Sequence, residues 1–160
     1  MMRRPSTRWL GYKGLKLFGV EIPSSVEIGD RFQLAHGAVG LVIHKTTRIG
    51  NNVKIFQGVT IGFADEHLPI EQCPDDFDTT EAFGRVVIED DVVIGAGAKV
   101  IFKLGQILTV GKGAVIGANA VVLSSVPPGE IWAGMPARKV SERDSWFNRR
   151  RIHEPRETAS

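Results

Sequence analysis

The sequence predicts an all-β fold, a solenoid of short parallel strands wound into a triangular prism. Three observations predict it. Aliphatic residues recur every six positions, a second series of apolar or small residues follows them by four positions, and 18 glycines and 8 prolines supply corners. A period of six fits neither an amphipathic helix nor a single alternating strand. It is typical of repeats that bury their apolar side chains only by stacking on neighbouring repeats.

Each face of the predicted prism takes one hexad, so three hexads complete a round and strands of successive rounds lie about 4.8 Å apart. The series skips by nine residues before Ile43, which predicts three extra residues near Gly37–Gly40, and slips by four before Leu104. The first series is Ile22, Ile28, Leu34, Ile43, Ile49, Ile55, Ile61, Ile88, Ile94, Val100, Leu104, Val110, Ile116 and Val122. The second is Val26, Phe32, Ala38, Thr47, Val53, Val59, Val92, Ala98, Leu108, Ala114, Ala120 and Val126.

The composition fits one soluble domain. A chain of 160 residues leaves no room for a second domain, and 42% hydrophobic with 8% aromatic residues suits an aliphatic core. The net charge of +2 gives no basis for a nucleic-acid partner. Cys73 is the single cysteine, which fits a reducing compartment. Without a secretory segment or a run of about 18 apolar residues, we expect a cytoplasmic protein.

Four segments are predicted along the chain. Residues 1–20 form a short N-terminal cap that covers the open strand edge of the solenoid. Their mixture of basic and aromatic residues leaves peripheral membrane contact as the less favoured alternative. Residues 21–140 form the solenoid, from which residues 62–85 protrude as a loop because they break the repeat. Residues 141–160 form a short helical tail with a frayed end.

Several motifs resemble those of the hexapeptide-repeat acetyltransferases over about residues 20–140. They are LAHGAVGLVIHKTTRIGNNVKIFQGVTIG, VVIEDDVVIGAGAKV, VGKGAVIGANAVV and WAGMPARKV. Within that family the sequence is most similar to the serine acetyltransferases and to short bacterial exopolysaccharide O-acetyltransferases. The resemblance implies a left-handed parallel β-helix, acetyl-CoA as donor, and a homotrimer with active sites between subunits. The handedness follows from the resemblance alone, since parallel crossovers are right-handed in nearly all sheets.

The resemblance assigns the catalytic general base to His36, two residues after Leu34. An imidazole can take the proton of an acceptor hydroxyl as its oxygen attacks the thioester directly, a contribution of about 10²–10⁴-fold. Glu21 matches the carboxylate that orients this base, where the family usually has aspartate. The structural alternatives are a satisfied histidine at a corner and a solvated glutamate.

The resemblance also implies a donor site. Small residues in IGAGA and IGANA let the pantetheine arm of CoA lie against the coils, and the candidates are Gly95, Ala96, Gly117 and Ala118. Arg138 and Lys139 are candidates for binding the adenosine phosphates, which need cationic donors. The same small residues also form tight corners, and the two roles are compatible.

Two departures from the serine acetyltransferases concern the acceptor. Ala35 stands where those enzymes have an aspartate, and Arg85 where they have a second histidine. We therefore expect the hydroxyl of a sugar or polysaccharide precursor as acceptor, with serine as the alternative. Arg85 and His67, in the loop, are the candidate acceptor-binding residues.

Two other classes of protein are alternatives to an acetyltransferase. A zinc lyase of the γ-carbonic-anhydrase type needs three histidines, two of them in HxxxxH, whereas His36, His44 and His67 are spaced by eight and twenty-three. No metal site is therefore predicted, and strand alternation is expected to turn His44 outward. A non-catalytic binding or structural solenoid stays open as the other alternative.

Overall fold

A computed structural model of the chain describes residues 19–64 and 83–144. These ranges form short strands joined by tight turns, and one 3-10 helix at Ala35–Ala38. The strands are β1 (Glu27–Ile28), β2 (Gln33–Leu34), β3 (Val42–Ile43), β4 (Arg48–Ile49), β5 (Lys54–Ile55), β6 (Thr60–Phe63), β7 (Arg85–Ile88), β8 (Val93–Ile94), β9 (Lys99–Phe102), β10 (Ile107–Val110), β11 (Val115–Ile116), β12 (Val121–Val122), β13 (Glu130–Gly134) and β14 (Ala137–Glu142). Within the described ranges, no helix is long and apolar enough to cross a membrane.

The strands form three sheets, one for each face of a prism. The first sheet has the order β1-β4-β7-β10, the second β14-β13-β11-β8-β5-β2, and the third β12-β9-β6-β3. Every pair is parallel except β13 with β14. Each strand thus pairs with its counterpart one round later. This topology confirms the predicted parallel β-helix with three hexads in each round.

The core is a column of aliphatic side chains inside the prism. In the register of the second sheet, Leu34, Ile55, Ile94 and Ile116 follow one another from round to round. The second series lines the interior as well, since all of its members are buried except Phe32, which packs partly against the core. Each fully buried aliphatic side chain stabilises the fold by roughly 1.5–3 kcal/mol. Most members of the two predicted series therefore belong to the core of the protein.

The first round is less well buried than the others. Ile28 is 41% exposed, and Ile22 and Leu34 are only partly buried. β1 and β2 lie at the ends of their sheets in the described part of the chain, so their side chains have a neighbouring round on one side only.

The prediction that Leu104 continues the core series is wrong. β9 runs on to Phe102, and strand alternation from Val100 turns that ring inward, where it is fully buried. The chain then turns, with Gln106 N donating to the Lys103 carbonyl, and Leu104 stands 42% exposed in this turn.

The loop is shorter at both ends than the predicted range of residues 62–85. Gly62 and Phe63 belong to β6 and pair with Ile101 and Phe102, and Arg85 opens β7. These residues stay in the sheets because each pairs with a neighbouring strand. The centre of the loop, with His67 and Cys73, lies outside the described residues.

The C-terminal end of the solenoid also lies later than the predicted residue 140. β14 continues through Ser141 and Glu142, which pair antiparallel with β13, so the segment predicted as a helical tail begins in a strand. The antiparallel pairing of the β13–β14 hairpin extends over Ser141 and Glu142 and keeps both residues in the strand. Arg143 follows and donates from Nη1 to the carbonyls of Asp91 and Gly113, at 2.6 and 2.9 Å. Residues 145–160 and most of the predicted cap, residues 1–18, lie outside the described ranges.

Candidate active site

The corner where the second sheet passes into the third gathers the predicted base and the four small residues predicted for the donor site. We call it the His36 corner; its stacked turns are residues 35–40, 56–58, 95–97 and 117–119. Backbone bonds tie each turn to the next: Gly58 N to the Val39 carbonyl at 2.9 Å, Gly97 N to that of Gln57 at 2.9 Å, and Asn119 N to that of Ala96 at 2.8 Å. The sequence positions predicted for base and donor therefore share one edge of the prism.

His36 lies in the three extra residues of this corner. The chain between Leu34 and Val39 is three residues longer than the corresponding turn after Ile55 in the next round, as the nine-residue step predicts. The insertion lies within the four-residue 3-10 helix Ala35–Ala38, in which His36 has a φ of 51° and Gly37 a φ of 69°. The His36 ring is exposed and tilts over Phe56, with ring centroids 5.7 Å apart. A left-handed backbone at a non-glycine residue is uncommon and is found mostly at turns and functional sites.

Glu21 lies beside the same corner, at the edge of the third sheet. Its N–H donates to the Leu41 carbonyl at 2.7 Å, and its own carbonyl accepts from Ile43 N at 2.9 Å. It pairs with Val42, which is 40% exposed, so alternation places Glu21 on the outer face. The contact that the structure gives the His36 ring is with Phe56. The pairing of Glu21 with His36 stays a prediction.

The predicted donor residues form a strip of small side chains along the corner. A Cβ added to Gly95 would lie 2.7 Å from the Ala118 nitrogen, and one added to Gly117 would lie 3.0 Å from the Ala133 Cβ. Glycine is required at Gly95 because the coils approach this closely. Ala96 and Ala118 follow these glycines at the turns. Gly95, Ala96 and Gly117 are half-buried along the strip, and Ala118 is exposed.

Arg138 and Lys139 stand at the far end of the strip and differ in their partners. Arg138 pairs with Ala133, is exposed, and donates from Nη1 to the neighbouring Ala137 carbonyl at 2.8 Å. Lys139 donates to Glu130 at 2.7 Å and also to Glu142. The hydrogen bond to Glu130 raises the pKa of Lys139, and the same bond, with a second from Trp132, lowers the pKa of Glu130. Two carboxylates already occupy the Lys139 ammonium, so Arg138 is the better candidate for a phosphate.

Arg85 is not brought to this corner. It opens β7 on the first sheet, where it pairs with Ile107. The first sheet is the face opposite the corner between the second and third sheets, so Arg85 and His36 of one chain are not neighbours. His67, the other predicted acceptor residue, lies outside the described ranges.

His44 does not turn outward as predicted. Its ring stacks on Phe83 with centroids 5.8 Å apart and meets the edge of Phe102 at 5.1 Å. Nδ1 lies 3.1 Å from the Thr46 hydroxyl, which donates to the Gly84 carbonyl at 3.2 Å. These aromatic rings at the base of the loop cover the imidazole. The six-residue repeat does not predict where the rings lie.

Sequence reasoning also missed two polar residues of the His36 corner. Gln57 has a buried Oε1 without a hydrogen-bond partner. Lys99 is half-buried, and its ammonium donates to the Gly58 carbonyl at 2.8 Å and to the Thr60 hydroxyl at 3.1 Å. The sequence did contain a signal for Gln57. It lies two residues after Ile55, the same hexad position at which the next two rounds have the predicted donor residues Ala96 and Ala118. In the described part of the chain, no three His, Cys, Asp or Glu side chains are grouped to hold a metal.

Comparisons with known proteins agree with this architecture. No family model matches the sequence. The serine acetyltransferase of Bacillus licheniformis is 40% identical over 136 residues, which are 85% of this chain and 55% of that protein. The Escherichia coli K12 enzyme is 41% identical over 130 residues, 80% of this chain and 40% of that one. The chain spans about half the length of these curated relatives.

Solved structures give the same answer for the fold. The serine acetyltransferase of Neisseria gonorrhoeae in complex with serine superposes with a TM-score of 0.60 at 35% identity, covering 79% of this chain and 44% of that one. The serine O-acetyltransferase of Brucella melitensis superposes with a TM-score of 0.62 at 32% identity, covering 84% and 46%. The chain is therefore a hexapeptide-repeat protein with a left-handed parallel β-helix, related in sequence and in fold to the serine acetyltransferases.

Proposed function

We propose that the chain is an acetyl-CoA-dependent O-acetyltransferase in which His36 is the general base. The observation that carries the proposal is the placement of an exposed histidine at the head of a strip of stacked small turns. The similarity to serine acetyltransferases supports it, since their name describes acetyl transfer to a hydroxyl.

The proposed reaction is a direct transfer. The His36 imidazole takes the proton of the acceptor hydroxyl, and the oxygen attacks the thioester carbonyl. The new C–O bond forms, the C–S bond breaks, and the proton passes from His36 to the departing CoA thiolate. Backbone N–H groups of the corner are suited to stabilise the oxyanion. Glu21 would orient the imidazole from the adjacent sheet edge.

The proposed donor site runs along the His36 corner. The pantetheine arm lies over the small residues Gly95, Ala96, Gly117 and Ala118, none of which is fully buried. Arg138 binds the phosphates at the far end. Lys139 contributes less, because Glu130 and Glu142 hold its ammonium.

We also propose a homotrimer whose active sites lie between subunits, as the family resemblance implies. Arg85 and His36 lie on opposite sides of one chain, so an Arg85 at a His36 corner has to come from a second copy. In this arrangement Arg85 of a neighbouring subunit contacts the acceptor.

For the acceptor, the comparisons favour serine over a saccharide. All of the relatives and structures quoted above are serine acetyltransferases, and one of them was solved with serine bound. A sugar or polysaccharide hydroxyl is the second candidate. The observation in its favour is that Ala35 and Arg85 replace the aspartate and the histidine expected from the resemblance to serine acetyltransferases.

The test is acetyl-CoA consumption by the purified chain with L-serine, nucleotide sugars and oligosaccharides, each measured with the wild type and with His36→Ala. We expect one acceptor class to stimulate consumption and His36→Ala to lower it by about 10²–10⁴-fold, with CoA affinity nearly unchanged. Turnover retained in His36→Ala would reject the assigned base. Consumption that no acceptor stimulates would favour the non-catalytic solenoid.

A further inference from the structure

The His36 ring rests on one neighbouring side chain. Its centroid lies 5.7 Å from that of the Phe56 ring, and the two planes are tilted by 45°. Aromatic rings attract each other at this distance and prefer offset or tilted arrangements. His36 is exposed, and an exposed side chain changes rotamer within picoseconds to nanoseconds. Within residues 19–64 and 83–144, the Phe56 ring is therefore the group that restricts the orientation of the candidate base.

Phe56 has a distinct position along the His36 corner. It follows Ile55, and the strand register places one residue of every neighbouring round in a row with it along the prism. The other members of this row are Ala35, Gly95, Gly117 and Ala133. Phe56 is thus the one member of the row with a side chain larger than a methyl group. It lies between the residue that precedes His36 and the first glycine of the strip, so the strip of small residues meets the candidate base at this ring.

A second side chain contacts the same ring. Lys54 opens β5 two residues before Phe56, and alternation along the strand turns both side chains to the outer face of the second sheet. Lys54 Nζ lies over the Phe56 ring, 5.3 Å from its centroid. A cation within about 6 Å of a ring centroid is attracted to the face of the ring. Lys54 therefore helps to hold the Phe56 ring in place.

We infer that Phe56 is a positioning residue for the general base, an inference that rests on the proposed function. Its ring holds the His36 imidazole in one orientation at the end of the donor strip, and Lys54 stabilises the ring. A general base has to lie within hydrogen-bond reach of the hydroxyl proton that it removes, and a small displacement of the reacting groups lowers the rate. The ring contact involves no hydrogen bond, so it leaves the two imidazole nitrogens for the acceptor and for an orienting carboxylate.

Steady-state kinetics and NMR test this role together. Phe56→Leu keeps an apolar side chain and removes the ring, so we expect kcat to fall by about 2- to 10-fold while the KM for acetyl-CoA stays nearly unchanged. Phe56→Tyr keeps the ring and should keep kcat close to the wild-type value. The proton resonances of the His36 ring should move in Phe56→Leu, because the ring current of Phe56 is lost, and should stay in place in Phe56→Tyr. This shift does not depend on turnover.

Phe32 offers a matched control. It is half-buried, packs partly against the core, and lies at the other end of β2, away from the His36 corner. Phe32→Leu is the same chemical change and should leave kcat and the His36 resonances unchanged. A loss of kcat in Phe32→Leu as large as that in Phe56→Leu would mean that both substitutions act through the stability of the first rounds, and it would overturn the inference.

A double-mutant cycle tests the role of Lys54. Lys54→Met keeps the length of the side chain and removes its charge, and we expect it to lower kcat by about 2-fold. In the Phe56→Leu background it should have no further effect, because Lys54 acts on the base only through the ring. An effect that persists without the ring would mean that the ammonium contacts a substrate directly, and it would overturn the role assigned to Lys54.

Two further results would overturn the role of Phe56. Unchanged kcat in Phe56→Leu would show that the ring does not position the base. A raised KM for acetyl-CoA at unchanged kcat would mean that Phe56 binds the donor instead. Wild-type protein without acetyl transfer would overturn the proposed function as well, and this result is distinguishable because it precedes any substitution.

Discussion

At the scale of single residues, the cationic side chains near the His36 corner differ in whether other protein groups already bind them. Lys139 is bound to Glu130 and Glu142, and Lys99 to Gly58 and Thr60. The Arg138 guanidinium is exposed and bonds only a neighbouring carbonyl, as far as the described residues show. The sequence motif cannot make this distinction, because adjacent cations in PARKV look equivalent until their partners are known.

The difference between Arg138 and Lys139 gives a prediction. Arg138→Ala should raise the apparent KM for acetyl-CoA by roughly 10-fold or more, the usual loss for a charge-assisted hydrogen bond, with little change in kcat. Lys139→Ala is the matched control at the next position and should raise it less, because its charge is already neutralised by two carboxylates. Steady-state kinetics at varied acetyl-CoA measure both. No change in Arg138→Ala would remove this residue from the donor site.

At the scale of elements, the period of six predicts the strands well wherever each hexad has one inward aliphatic residue and one regular turn. It fails where a strand is longer than the hexad allows. β9 extends to Phe102, which joins Phe63 and Phe83 in a group of rings with centroids 4.5–6.3 Å apart. Packing between residues distant in sequence determines these rings and the place of His44, so Leu104 and His44 could not be predicted from a local repeat.

The burial of strand residues gives a second prediction. Ile94 in β8 is fully buried between β5 and β11, whereas Ile28 in β1 is 41% exposed at the end of its sheet. Ile94→Ala should lower the free energy of unfolding by about 2–5 kcal/mol because it leaves a cavity between two rounds. Ile28→Ala, the same chemical change, should cost less than about 1 kcal/mol. Urea unfolding at matched protein concentration measures both, and equal losses would contradict the assigned interior.

At the scale of the whole molecule, hexad counting could place His36, Gly95 and Ala96 on one corner. The mistaken hexad at Leu104 shifts the count by one face, so the common corner of Gly117 and Ala118 becomes clear only from the strand pairing. The three extra residues before Ile43 were likewise visible as a nine-residue step. Counting could not show that Gln57 Oε1 is left without a partner, since this depends on side-chain packing. The acceptor-binding role of Arg85 stays a prediction, because this residue lies on the face opposite the His36 corner of its own chain.

A shared active site predicts complementation between inactive variants. If Arg85 of one subunit serves His36 of the next, His36→Ala and Arg85→Ala should each be nearly inactive alone. Co-expressed in equal amounts, they should form mixed trimers in which about one third of the sites combine an intact His36 with an intact Arg85, because each interface pairs different surfaces of two subunits. Activity of the co-purified mixture, isolated through two different affinity tags, measures this. Mixed trimers without recovered activity would mean that each chain completes its own site or that Arg85 has no role in it, and the kinetics of Arg85→Ala alone would separate these two explanations.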